Sequence, residues 1–232
     1  MDEQYVYLSS LASNNNNTPS HFTNTLYTPL MFPSHLRYQI GVVNFLHPKT
    51  FFILLHNDDD SAIKLTQGGE VVATYAPPRN IVNGEKIEDI IDLFNFSPLR
   101  WDVNTGRCEL GETDDVVVFG SRVAAVMGFN CLGKKGPAPR HPRAEDGGID
   151  YLLCECDVIS PVRYGDELLP ILDAFILQGA GGRGFTSPVY KMLNTFILST
   201  ISIRIVDQLK REVHFDDGYS STCVLHIRPV PI

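Results

Sequence analysis

Ile197, Ile201, Ile203 and Ile205 keep step along Phe196 to Ile205, with Leu198, Thr200, Ser202 and Arg204 between them. A repeat of two sends neighbouring side chains to opposite faces, which predicts a β-strand with one face buried and the other largely wet. The pattern returns over Thr222 to Arg228, where Cys223, Leu225 and Ile227 share a face. Pro229 and Pro231 remove backbone donors and end that ladder. The polar stretch from Asp207 to Ser221 contains Asp216-Asp217-Gly218, a turn signal because glycine accepts positive φ. Together the two runs predict a long antiparallel hairpin near the C-terminus, one face inward, with the rest of the chain built as sheet to meet it.

A chain of 232 residues can bury a sizeable core, and its hydrophobic fraction of 44% is that of a globular protein. No run approaches the roughly 20 apolar residues that a membrane-spanning helix needs. Met1-Asp2-Glu3-Gln4 has neither a basic nor an apolar leader region, so no signal peptide is expected. A formal charge of −8 repels phosphate backbones and argues against specific nucleic-acid binding. Cys108, Cys131, Cys154, Cys156 and Cys223 are odd in number and scattered. They read as free thiols from a reducing compartment, several of them buried.

Read in order, the chain is mostly strand and turn. Gln4 to Leu11 is a first strand, Asn14 to Ser20 a loop, and Phe22 to Leu30 a strand that Pro29 breaks. Leu36 to Leu46 favours strand, and Phe51 to Leu55 is a continuous apolar run buried on both faces. Gly68-Gly69 joins two further strands. From Asn83 to Asn95 the period changes: Ile87, Ile90, Ile91 and Phe94 fall at helical spacing. Leu99 to Val103, Arg107 to Leu110 and Val116 to Phe119 are strands again. Ser121 can cap a helix from Arg122 to Met127 that Gly128 closes. Lys134 to Gly148, rich in proline and glycine, is expected to be a long exposed loop, as is the glycine-rich stretch 178–186. Asp150 to Val158 is a clear strand, and Leu168 to Leu177 another that Pro170 disturbs.

Chemical motifs are missing. Nucleophile elbow, zinc-protease helix, phosphate loop and paired-cysteine zinc spacing do not occur, so no catalytic, cofactor-binding or metal residue is assigned. The glycines at 179–184 lack the following helix that a phosphate cradle requires. Asn57-Asp58-Asp59-Asp60-Ser61 groups three carboxylates without the distal bidentate glutamate of a calcium loop, so it reads as a solvated turn. The seven histidines are scattered, with none paired at ligand spacing, and His226 falls on the outer face of the last strand, as an ordinary surface histidine. The residues alone therefore predict an all-β sandwich or jelly roll, one domain over 1–232 with one or two short helices, made for binding or assembly.

Several stretches in serial order resemble the penton, or minor capsid, proteins of polinton (Maverick) elements, adintoviruses and virophage-like viruses. They are Tyr5 to Ser10, Phe22 to Leu26, Tyr38 to Val43, Val123 to Phe129, Tyr151 to Ile159 and Val162 to Asp166. Pro188-Val189-Tyr190, Ile201 to Ile205, Val213 to Gly218 and Val224 to Arg228 complete the series. The 134–148 and 179–184 loops depart from it. The resemblance implies a viral jelly roll that forms homo-pentamers at icosahedral vertices, ringed by a double-jelly-roll major capsid protein, with room for a vertex spike or receptor. It also implies a virion location, assembly in host cytoplasm or nucleus, and no catalysis. Arg163-Tyr164-Gly165-Asp166 comes near a cell-attachment tripeptide, but Tyr164 interrupts it and a turn is expected. Two other classes stay open from the residues. One is a lectin-like or receptor-binding module using 57–61 or 134–148 as its rim; the other is a cupin-like enzyme that would need histidines clustered inside the barrel.

Overall fold

The computed structural model describes residues 3–12, 16–144, 146–176, 182–184, 187–216 and 218–230. The chain divides into two compact units, the first made of residues 1–49 and 149–232 and the second of residues 50–148.

The first unit opens with β1 (Gln4–Ser9), β2 (His21–Met31) and β3 (Tyr38–Leu46). The second unit follows without interruption: β4 (Phe51–Leu54), a 3-10 turn (Asp59–Ser61), β5 (Ile63–Gln67), β6 (Glu70–Tyr75) and β7 (Ile81–Val82). Next come α1 (Ile87–Leu93), β8 (Leu99–Asp102), β9 (Arg107–Leu110), β10 (Val116–Phe119), α2 (Ser121–Met127) and β11 (Gly136–Pro137). The chain then returns to the first unit with β12 (Leu152–Cys156), β13 (Val162–Tyr164), β14 (Glu167–Leu169), β15 (Ile171–Phe175) and β16 (Gly182–Gly184). It ends with β17 (Lys191–Met192), β18 (Ile197–Asp207), β19 (His214–Phe215) and β20 (Thr222–Pro229).

Two antiparallel sheets form a sandwich in the first unit. Sheet A has the order β1-β20-β3-β16, with β17 also on β3, and sheet B the order β15-β12-β18-β2. The eight sandwich positions in chain order are β1, β2, β3, β12, β15, β16 with β17, β18 and β20; first pairs with eighth, second with seventh, third with sixth and fourth with fifth. A long hairpin rolled up on itself gives that nesting, which is the jelly roll. Val6, Leu8, Ile40, Cys223, Leu225 and Ile227 of sheet A are buried, as are Phe22, Cys154, Cys156, Ile201, Ile203 and Ile205 of sheet B. The Cys154 thiol hydrogen-bonds Cys223 on the other sheet, and burial adds to that bond in pushing its pKa well up. All five cysteines are free.

This arrangement corrects the expected C-terminal hairpin. β18 pairs with β12 and β2, and β20 with β1 and β3, so the two runs lie in opposite sheets. Both do turn one face inward, but a period of two specifies which side is buried and says nothing about which strand lies alongside. Pro29 does not break β2 either. Thr25 and Leu30 lie opposite Thr200 and Leu198, so a bulge on an edge strand takes up the residues between. A proline without an N–H is tolerated at such a place. Pro170 does divide its stretch, into β14 and β15.

Side chains close the open edges. Asn24 is buried and bridges β2 to β1, its Oδ1 accepting from Ser9 N at 3.0 Å while Nδ2 donates to Ser9 O at 3.0 Å. Asn17 treats Thr23 the same way, at 2.9 and 3.2 Å, and so occupies an edge amide and carbonyl that could otherwise recruit a foreign strand. Across sheet B, Leu153, Ile171 and Val206 form a second cluster, covered by Tyr151, Val162, Tyr164 and Leu169. β12 is thus buried on both faces.

In the second unit, β10-β5-β6 and β11-β9-β8 form two antiparallel sheets. α1 buries Ile90, Ile91 and Phe94 as its period requires, but it is shorter than 83–95. Asn83 Oδ1 accepts from Phe51 N, Gly84 sits at φ +83° and Asn95 at φ +48°, so both ends are committed to other geometry. α2 is capped by Gly120, where a Cβ would stand 2.4 Å from Asp60 O, and not by Ser121.

The stretch 134–148 is irregular and mostly exposed or half-buried, as expected of a long exposed loop, but it is pinned to its neighbours at several points. Gly136–Pro137 pairs β9, Ala138 is fully buried and donates to Cys108 O at 2.7 Å, and Arg143 N donates to Val126 O at 2.8 Å. A Cβ on Gly147 would lie 2.7 Å from Ile53 Cγ2, and one on Gly148 2.6 Å from Ala125 Cβ. The glycines and prolines here shape a strap tied to α2 and β9, where small residues and fixed φ angles permit close approach. In the expected loop 178–186, Gly182–Gly184 is a strand on β3, and the other residues up to 186 lie outside those described. The expected turn at Asp217 and Pro231 lies outside them too, as does part of the 14–17 loop.

Candidate functional site

The outer face of sheet A is built around His226. Ladder pairing sets it beside Tyr5 on one side and Gly41 on the other. The Tyr5 ring stacks on the imidazole with centroids 4.6 Å apart and planes 14° off parallel. Tyr190 meets the same ring edge-on at 5.8 Å, and its hydroxyl lies 2.7 Å from Nδ1. Gly41 makes this possible: a Cβ there would stand 3.1 Å from Pro188 Cβ and 3.2 Å from Tyr190 Cδ1, so its absence lets residues 188–190 lie flat on the sheet. The Arg228 guanidinium sits 3.6 Å above the Tyr190 ring, a cation–π contact. With its amide oxygen turned toward Arg228, Gln39 accepts from Arg228 Nε at 2.7 Å. The Glu3 carboxylate lies 3.4 Å from His226 Nε2.

His226 is therefore no ordinary surface histidine. It is on the outer face as expected, yet only 6% exposed, because two tyrosines cover it. The result is a braced aromatic surface around Tyr5, with Tyr7, 73% exposed, on the same face of β1. Alternation already places both tyrosines opposite the core-facing Val6 and Leu8, so this part was legible in the sequence. Tyr190 was not, since only the fold brings residue 190 to residue 226.

The opposite edge of sheet A ends in a cleft. Where β17 pairs with β3, Leu36, Arg37, Met192, Leu193, Thr195 and Phe196 line a space of about 340 Å³. Phe196 is 53% exposed, and Arg37 is exposed and has no ion-pair partner among the described residues. No local pattern marks these residues, which come from distant parts of the chain.

Other expected sites resolve into structural roles. Asp58 Oδ1 accepts from Asp60 N and its Oδ2 from Ser61 Oγ at 2.9 Å, with Arg122 Nε 3.5 Å away, while Asp59 pairs with Lys64 at 3.0 Å. Two of the three carboxylates of the 57–61 turn, those of Asp58 and Asp59, thus face protein partners, and Asp60 is exposed as a solvated turn expects. Among the described residues no group of three histidines, cysteines or acids could hold a metal ion, and no helix is long and apolar enough to cross a membrane. Arg163-Tyr164-Gly165-Asp166 is the β13–β14 hairpin, with Gly165 at φ +59°, the turn expected.

His47 occupies an apolar box. It is buried against Phe45, Phe175 and Phe215, with ring centroids 5.8, 6.2 and 5.3 Å away, and Nδ1–H donates to Pro48 O at 2.8 Å. Burial lowers its pKa from 6.5, partly offset by that hydrogen bond. The neutral ring is the form the fold accepts. Stability from this residue is then complete above the unfolded value and is lost as pH falls below it and through the lower folded value. Tm measured between pH 7.5 and 5 is expected to fall more steeply in the wild type than in His47→Phe; parallel curves would refute this.

No known family model and no curated protein matches the sequence. Among solved structures the chain is similar to the mavirus penton protein, with 11% identity and a TM-score of 0.46 over 98% of this chain and 100% of that one. It is similar also to a chain of the Sputnik virophage solved by cryo-EM at 3.5 Å, with 10% identity and a TM-score of 0.48 over 98% of both.

Proposed function

We propose that this protein is a structural subunit of a virus particle, a penton that forms homo-pentamers at the icosahedral vertices and contacts a double-jelly-roll major capsid protein. The observation that carries the reading is the nested order of the sandwich strands, in which the serially matched segments at Tyr5, Phe22, Tyr38, Tyr151, Ile201 and Val224 all stand on sandwich strands or at their borders. In this reading the whole chain serves as one subunit, with residues 50–148 forming a second unit inserted between β3 and β12. Its work is docking, so it needs complementary surfaces and no reaction centre, and it resides in the virion after assembly in host cytoplasm or nucleus. A spike or receptor could engage the surface left free by the shell.

Native mass spectrometry tests this directly. Five times the 25.9 kDa chain mass is expected, together with incorporation into particles when the major capsid protein is co-expressed. A protein that stays monomeric at high concentration and is absent from such particles would overturn it.

A further inference from the structure

We infer that neighbouring copies meet head to tail, with the Tyr5–Tyr7 flank of one seated on the Arg37–Phe196 cleft of the next. The inference rests on the assembly reading above and names the two surfaces it would use. A cyclic ring requires two different patches on each subunit, because the same patch cannot face both neighbours. Sheet A offers two such patches on opposite edges, in the order β1-β20-β3 and then β17. At the β1 edge stand Tyr5 and Tyr7, exposed although Tyr5 is held rigid by its stack on His226. A braced, half-exposed tyrosine such as Tyr5 loses little entropy when it binds, which makes it an effective anchor. At the β17 edge lies the 340 Å³ cleft, of mixed polarity, where Leu36, Met192 and Phe196 can receive a ring.

The charges agree with this pairing. The whole chain carries −8, so copies repel one another except where opposite charges can be brought together. The exposed Glu3 carboxylate flanks Tyr5, and the exposed Arg37 guanidinium, with no ion-pair partner among the described residues, rims the cleft. Seating one patch on the other brings that acid toward that base. Placing two Tyr5 flanks face to face would instead oppose Glu3 to Glu3.

Mixing variants tests the assignment. Tyr7→Glu and Phe196→Glu change exposed side chains, and each is expected to give a folded monomer with the wild-type circular-dichroism spectrum. Each keeps one good patch of opposite kind, so an equimolar mixture is expected to form a one-to-one dimer and nothing larger. If either variant forms rings of wild-type mass, or if two monomeric variants stay monomeric when mixed, the assignment of these two patches is wrong while the assembly reading stands. A wild type that is itself monomeric overturns both. Should a glutamate variant lose its fold, Glu3→Lys and Arg37→Glu, both at exposed positions, replace it. Each alone is expected to weaken assembly at least tenfold, and the double variant to restore it; failure of restoration counts against the pairing.

Discussion

Replacing Asp207 with alanine is expected to cost about 3–5 kcal/mol of folding stability, read as a lower urea midpoint at unchanged slope. Asp207 is the last residue of β18 and is only 1% exposed. Its Oδ1 accepts from Leu209 N at 2.8 Å and Arg211 N at 2.9 Å, and its Oδ2 from Arg211 Nε at 2.7 Å. The carboxylate therefore shapes the turn by which the chain leaves sheet B. Removing it takes the acceptor from two backbone amides and from a guanidinium that is itself largely covered, and unmet buried donors cost more than the bonds contributed. Asp207→Asn retains the volume and one acceptor oxygen, so it should fall between alanine and wild type. A loss below about 1 kcal/mol for alanine would place this pair among the weak surface pairs and refute the argument.

Asp207 also shows where the sequence stops being informative. The alternation through Ile201, Ile203 and Ile205 identified the strand and its buried face, and the same logic held for Cys223, Leu225 and Ile227. Ile197, expected on that face, is exposed and Leu198 is buried instead, because a bulge between Leu198 and Thr200 shifts the alternation. What that logic could not supply was the change of sheet between them. Two strands that each bury one face look alike whether they lie side by side or opposite each other across the core. The decision rests on the length of the 207–221 connection and on contacts such as Asn24 with Ser9, which are nonlocal. The candidate surfaces divide in the same way. Tyr5 and Tyr7 follow from position on β1, whereas the His226–Tyr190 contact and the cleft join residues far apart in sequence. The proline- and glycine-rich 134–148 stretch is irregular and largely exposed as its composition signals, but its attachments were not legible, because composition is silent about packing.

That strap gives the second large effect. Gly128→Ala is expected to destabilise the protein by about 2–5 kcal/mol, from left-handed strain and overpacking together. Gly128 ends α2 at φ +81°, a region costly for any residue with a Cβ. The added carbon would also stand 2.2 Å from Arg140 O and 3.1 Å from His141 O, both backbone atoms of the strap, and Arg140 N already donates to Gly128 O at 3.1 Å. Backbone cannot swing aside as a side chain can, so the strap must lift or the helix end must unwind. Gly68→Ala provides the control: it has φ +61° with nothing within 4 Å of the added carbon, and should show the strain alone, about 1 kcal/mol. Lifting the strap should also speed tryptic cleavage after Arg140 and Arg143 in Gly128→Ala and not in Gly68→Ala. Equal losses at the two glycines, with equal cleavage, would mean that 134–148 is the free loop its composition suggests, because a strap fastened at Arg140 cannot tolerate the two changes alike.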